Sequence, residues 1–199
     1  MTSDLLEVCS NLKRRGFLVH LFDTPEQTAD FLLDQITSKE SVGIGGSITI
    51  DQIGIYDKLI SRGNPVFWHW KSGNEVRKKA LLSDVYLCST NALTISGELV
   101  NIDGNGNRTG AMVFGPNRCF VVCGTNKICP DLQSAVDRIK NIACPQNARR
   151  LGLDVPCAKL GRCVECSAKI RMCRVTTIFS YPANGRETHV CLIKGSFGY

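Results

Sequence analysis

Apolar residues recur at helical spacing through TSDLLEVCSNLKRRGF (residues 2–17), and the run stops at Gly16, so the segment predicts an amphipathic helix with a glycine C-cap. FLVHLF follows as a short strand. DTPEQTADFLLDQIT predicts a second helix, with Thr24 as N-cap, Pro25 at its first position and Gln27 completing a capping box. Next comes SVGIGGSITIDQIGIYDKLI, a short apolar strand, a glycine turn and a helical run. NPVFWHW reads as a strand, SGNEVRKKALL as a helix and DVYLCST as another strand. Strands that alternate with helices predict a parallel-rich sheet with helices on both faces.

The pattern changes after residue 92. LTISGELVNIDGNGNRTGAMVFGPNRCFVVCG has strand-like runs broken by Gly, Asn and Pro, which suggests an antiparallel section of hairpins, with NIDGNGNRTG at a hairpin tip. PDLQSAVDRIK is a helix. RVTTIFSYP and ETHVCLIKG read as a terminal antiparallel pair joined across ANGR. The expected organisation is an α/β domain over residues 1–145, a cysteine-rich segment over 146–175, and a strand pair over 176–199 that packs on the main domain.

Eleven cysteines in 199 residues change this picture. Four of them, Cys157, Cys163, Cys166 and Cys173, fall at spacing C-x5-C-x2-C-x6-C. Four thiolates hold structural zinc or an iron-sulfur cluster, and a C-x-x-C pair lets two ligands from one turn reach one metal. The spacing leaves both metals open, and a loop of free thiols is the plain alternative. Cys88, Cys119 and Cys123 sit in apolar strands and read as core. No run of the ~20 apolar residues needed to span a bilayer occurs, and the first residues lack the blocks of a secretory signal, so a soluble, cytoplasmic protein without membrane insertion is expected. A reducing compartment in turn argues against a disulfide framework. The net charge of +6 is concentrated around the cysteines, and with 7% aromatic residues nucleic acid is not the expected partner.

Two polar constellations are candidate binding sites. In GIGGSIT, Gly45, Gly46, Ser47 and Thr49 lie between a strand and a helix, where backbone N–H groups and hydroxyls can receive an anion. No Lys follows the glycines, so this is not a P-loop. In the second, Asn101, Asp103, Gly106, Asn107 and Arg108 crowd one bend, with Asn91 upstream, and Arg108 is placed to clamp a carboxylate or phosphate in bidentate fashion. His20 and His69, each in aromatic or apolar surroundings, read as structural imidazoles. No catalytic triad or tuned acid–base pair is recognisable, so catalytic residues stay unassigned.

Together, VGIGGSITIDQIGI, LCSTNALTISGELVNIDGNGNRTGAMVFGPNR, VVCGTNKICPDLQSAVDRIKNIACPQNARRL and PCAKLGRCVECSAKIRMC resemble the LUD (lactate-utilisation) domain family, in a short form with a C-terminal cysteine segment common in anaerobic bacteria. The resemblance spans residues 5–199 and is most specific from Asn91 to Pro116. It implies a fold like that of the sugar-phosphate isomerase and coenzyme A transferase superfamily, whose relatives bind phosphorylated or carboxylated small molecules near a glycine turn. The leading expectation is an accessory protein of lactate-like carboxylate metabolism, with a small anionic metabolite as ligand, a cluster of the 4Fe-4S type on the four cysteines, a redox partner protein and a homodimer. A binding module with structural zinc, or an isomerase- or ligase-type enzyme using the glycine-loop pocket, are the alternatives. Two departures stand out. Ser96-Gly97-Glu98 replaces the TGT of many members, and no glutamate matches the catalytic one of coenzyme A transferases.

Overall fold

The computed structural model describes residues 3–199; Met1 and Thr2, the latter the first residue of the predicted N-terminal helix, lie outside them. The first half alternates as expected: α1 (Ser3–Arg14), β1 (Leu18–Phe22), α2 (Pro25–Gln35), β2 (Val42–Ile44), α3 (Ile48–Gln52), α4 (Ile55–Ser61), β3 (Val66–Trp68), α5 (His69–Ser72), α6 (Val76–Leu81) and β4 (Val85–Cys88). α1 buries Leu5, Val8 and Leu12, three or four residues apart, so one stripe faces the core. α2 begins where its cap predicts: the Thr24 hydroxyl accepts from Gln27 N–H at 3.2 Å, and the Gln27 side chain returns to Asp23 N–H at 2.9 Å.

The second half continues with β5 (Ala92–Thr94), β6 (Leu99–Asp103), α7 (Asn107–Phe114), β7 (Arg118–Gly124), β8 (Ile128–Cys129), α8 (Leu132–Arg138), α9 (Cys144–Arg150), α10 (Pro156–Leu160), β9 (Val175–Phe179) and β10 (Glu187–Ile193). Six strands form a wholly parallel sheet in the order β1-β10-β7-β4-β2-β3. β7 shows how it is filled. Cys119, Val121 and Cys123 point to the layer holding α1 and α7, while Phe120 and Val122 point to the layer holding α2 and α4. Burial on both faces is what makes the strand an unbroken apolar run. Cys88, Cys119 and Cys123 are core residues, as their strand context predicts.

The terminal strands correct the sequence reading. They do not pair with each other. β10 inserts between β1 and β7, parallel to both, whereas β9 leaves to join β6 antiparallel. The turn at ANGR exists, with Arg186 N–H on Ala183 C=O, but the strands flanking it diverge. Burial is the physical reason: β10 is buried from Thr188 to Ile193 and belongs at a sheet centre, while no residue of β9 is fully buried. The C-terminal strand thus completes the main sheet rather than packing upon it.

A smaller mixed sheet, β8-β5-β6-β9, packs its Ala92, Val100, Ile102 and Cys129 against α8 and the following turns. NIDGNGNRTG is not a hairpin tip; it is the passage from β6 into α7. Between α8 and α9 the helix widens into a π turn over Ile139–Ala143, just before Pro145. Proline cannot donate to the carbonyl four residues back and its ring crowds it, which the widened turn relieves. Among the described residues no helix is long and apolar enough to cross a membrane.

Candidate functional site

A cavity of about 180 Å³ opens at the carboxyl ends of β2, β3, β4 and β7, where parallel α/β sheets place their ligand sites. Its floor includes Gly46, Ser47 and Thr49. The glycines here are required for close approach, because Gly43, Gly45 and Gly46 all lie outside the positive-φ region. A Cβ on Gly46 would stand 3.0 Å from the Trp70 indole nitrogen and 3.2 Å from the His69 ring, so only glycine lets the loop lie against both rings. The following helix, α3, has five residues, too few to sum much of a dipole, and the Ser47 hydroxyl is spent as its N-cap on Ile50 N–H.

The second predicted constellation forms the opposite wall, but its chemistry is internal. Arg108 is 7% exposed, and its Nε and Nη2 both donate to Asp103 Oδ1, at 3.0 and 2.5 Å. Nη1 donates to Ser89 C=O and Nη2 also to Asn91 Oδ1. Asp103 Oδ2 in turn accepts from Thr109 N–H, holding the first turn of α7. Arg108 is therefore not the free bidentate clamp that its sequence context predicts; Asp103, Asn91 and backbone carbonyls already occupy its fork. Asn91, Asp103, Asn107 and Arg108 do line the cavity, while Gly45, Asn101 and Gly106 do not. Gly45 lies behind the turn against Tyr86, Asn101 is buried in the second sheet accepting from Asn91 N–H, and Gly106 adopts the left-handed conformation that starts α7. Ser96 and Glu98 lie in the β5–β6 turn, tied to Arg15 of α1, and contribute nothing to the cavity wall.

The residue that sequence reasoning missed is Lys127. It is 3% exposed, yet among the described residues its Nζ donates to neutral groups: Thr49 Oγ1 and Ser89 Oγ, both at 3.0 Å, and Thr90 C=O at 3.3 Å. Burial pushes the ammonium down to about 8; Cys123 acts against the shift, while the cations of Arg138 and Arg108 deepen it. Gly198 lies so close that a Cβ there would stand 3.0 Å from Nζ, and Phe197 C=O accepts from Thr49, so residues 197–199 close this side of the cavity. The available signal was a lone Lys just past the carboxyl end of an apolar strand, in VVCGTNKI.

Further cations line the same cavity. Arg150 stacks over the Trp70 ring at 4.3 Å, and Arg77 contributes a third guanidinium. His69, read as a structural imidazole, lines the cavity instead, and burial together with Arg77 and Arg150 lowers it to about 4, keeping it neutral. Among the described residues Asp103 is the one acidic side chain in the lining, and it is already paired with Arg108. Cationic side chains therefore outnumber acidic ones in the lining.

The four predicted metal cysteines are half-buried free thiols beside this cavity, Cys157 in α10 and Cys163, Cys166 and Cys173 in the irregular chain that follows it. They share one electrostatic neighbourhood: burial raises Cys157, and Cys173, Cys166 and Cys163 raise it further. Cys144, a cavity-lining thiol pushed up to about 12, is raised by burial, then by Cys173, Cys157 and Cys163, and lowered by Arg108. Among the described residues no three Cys, His, Asp or Glu side chains converge closely enough to grip a single metal ion. Local donors already face the sulfurs, however. Glu165 N–H lies 3.4 Å from Cys163 Sγ, made possible by a left-handed Glu165 (φ 51°), and Arg171 Nε lies 3.1 Å from Cys173 Sγ.

A crystal structure of a DUF162 family protein from Deinococcus radiodurans has the same fold, with a TM-score of 0.55 over 96% of each chain at 10% identity. No curated protein matches the chain in sequence. The family profile described as the LUD domain matches residues 5–193. With that match running from α1 to the end of β10, the chain belongs to the LUD domain family.

Proposed function

We propose that this LUD-domain chain is an accessory protein of lactate-like carboxylate metabolism that binds a small anionic metabolite in the cavity and carries an iron-sulfur cluster on Cys157, Cys163, Cys166 and Cys173. The observation that carries the ligand reading is Lys127, a buried cation whose Nζ donates to two hydroxyls and a carbonyl. Leaving such a charge unpaired is costly, and a bound carboxylate or phosphate supplies the missing counter-ion. About 180 Å³ suits a metabolite of a few carbons and is well below the ~300–1,000 Å³ of sites for larger ligands.

The four cysteines suit a cluster through their donor set. N–H groups from Glu165 and Arg171 already face two of the sulfurs, and a basic segment offsets thiolate charge. When bound, a cluster supplies one-electron redox chemistry, which implies a partner protein to exchange those electrons.

Calorimetric titration with oxalate, L-lactate and inorganic phosphate tests the cavity. At least one should bind to the native chain and fail to bind to Lys127→Met; absence of binding by all three overturns the ligand reading. Iron and acid-labile sulfide measured on protein purified without oxygen test the metal: both should be present and lost in Cys166→Ser. Zinc in their place leaves the cavity reading standing and makes the segment a structural brace.

A further inference from the structure

Building on the anion-binding reading of the cavity, we propose that Lys127 is a nucleophilic amine that condenses reversibly with the carbonyl carbon of a small 2-oxo acid. Placement is the first argument. Nζ lies at the inner end of the cavity, held by Thr49 Oγ1 and Ser89 Oγ on neighbouring elements and with its carbon stem sequestered from water. A lysine held by hydroxyls rather than by a carboxylate can give up its proton without breaking an ion pair, and a desolvated lysine is the type that forms imines with carbonyl substrates. Its value of about 8 leaves an appreciable fraction of free amine at neutral pH. The groups acting on it are Cys123 of β7, Arg138 of α8 and Arg108 of α7, of which the two arginines favour the neutral form.

The second argument is the rest of the lining. Arg77 and Arg150 supply positive charge for the carboxylate of a 2-oxo acid, while neutral His69 adds a ring that can accept or donate a hydrogen bond. The chemistry balances without an oxidant. The amine lone pair attacks the carbonyl carbon, an N–C bond forms, and the carbonyl oxygen takes up a proton to give a carbinolamine. Loss of that oxygen as water, carrying both former amine protons, leaves the C=N bond. Thr49 and Ser89 hydroxyls stand within reach of the nitrogen to relay those protons.

Pyruvate with sodium cyanoborohydride, which reduces an imine to a stable amine, tests this on the native chain, with adducts located by peptide mass spectrometry. Lys127 should be labelled about tenfold or more faster at pH 7.5 than the exposed Lys78 and Lys79, with half-maximal rate near pH 8, and oxalate should protect it. Lys127→Arg should lose the adduct. Labelling of Lys127 no faster than of Lys78, in protein that still binds oxalate, overturns the imine and leaves the anion site intact. Failure of labelling in protein that binds none of oxalate, L-lactate and phosphate overturns the two readings together.

Discussion

The two walls of the cavity handle buried charge in opposite ways. On the α7 wall, Arg108 and Asp103 neutralise each other, and Asn91, Ser89 and Ile102 take up the remaining guanidinium donors. On the α3 wall, Lys127 is buried among two hydroxyls and a carbonyl. A charge pair closed on itself is architecture, since it has little left to offer a ligand. A buried charge left open is a site, because only an incoming group can complete it. The difference teaches that the more polar-looking motif, NIDGNGNR, supports the cavity, while the plain VVCGTNKI supplies its reactive end.

The largest effect should come from breaking the closed wall. Arg108→Ala leaves Asp103 buried without its partner and releases the start of α7, so unfolding by denaturant should show a loss of about 3–5 kcal/mol. Arg108→Lys should recover little of it, since a point charge cannot reach Asp103, Ser89 and Asn91 at once. Should Arg108→Ala fold with native stability and lose only oxalate affinity, the two walls exchange roles.

Opening the other wall should act with the opposite sign. Lys127→Met removes a buried, uncompensated cation and should raise stability by about 1–3 kcal/mol at pH 7 while abolishing anion binding, the trade expected where function keeps a strained group. The pH profile identifies the cause. Below about 8 Lys127 is protonated both folded and unfolded, so its cost is constant; between about 8 and the ordinary lysine value of 10.5 the unfolded chain binds the extra proton. Stability of the native chain therefore rises with pH across that window, and the rise should vanish in Lys127→Met. A profile identical in both chains would show that Lys127 is not the open charge.

How much of this was readable beforehand follows the same physical divide. The alternation of strands and helices, the Thr24 cap and the core thiols of β7 are local or periodic features, and a sequence displays those directly. The fate of the last strand is not local: HVCLI belongs between β1 and β7, strands 60 or more residues away, and the turn at ANGR points to a hairpin that burial overrides. In the site, Gly46, Ser47, Thr49 and Asn91 were legible because turns and polar clusters stand out. Lys127, Arg77, Arg150 and His69 were not, since each is an ordinary residue whose meaning arises when four strand ends meet. Arg108 was visible but misread, because a sequence shows a donor without showing that Asp103 five residues earlier has already engaged it.

The smallest effect sharpens the comparison most. Thr49→Val keeps the shape of the side chain and removes one of the two hydroxyls on Lys127, together with the bond to Phe197 C=O. The net loss should be about 1.5 kcal/mol, the low end for a hydrogen bond to a charged group. The informative quantity is the pH at which stability begins to climb. A hydrogen bond to the ammonium favours its charged form, so removing the Thr49 partner should move the onset below about 8, towards neutrality. An onset that stays in place would mean that the Thr49 hydroxyl does not help to hold the proton. Ser89 Oγ and Thr90 C=O would then hold the ammonium without it, and the open end of the comparison would rest on those two groups.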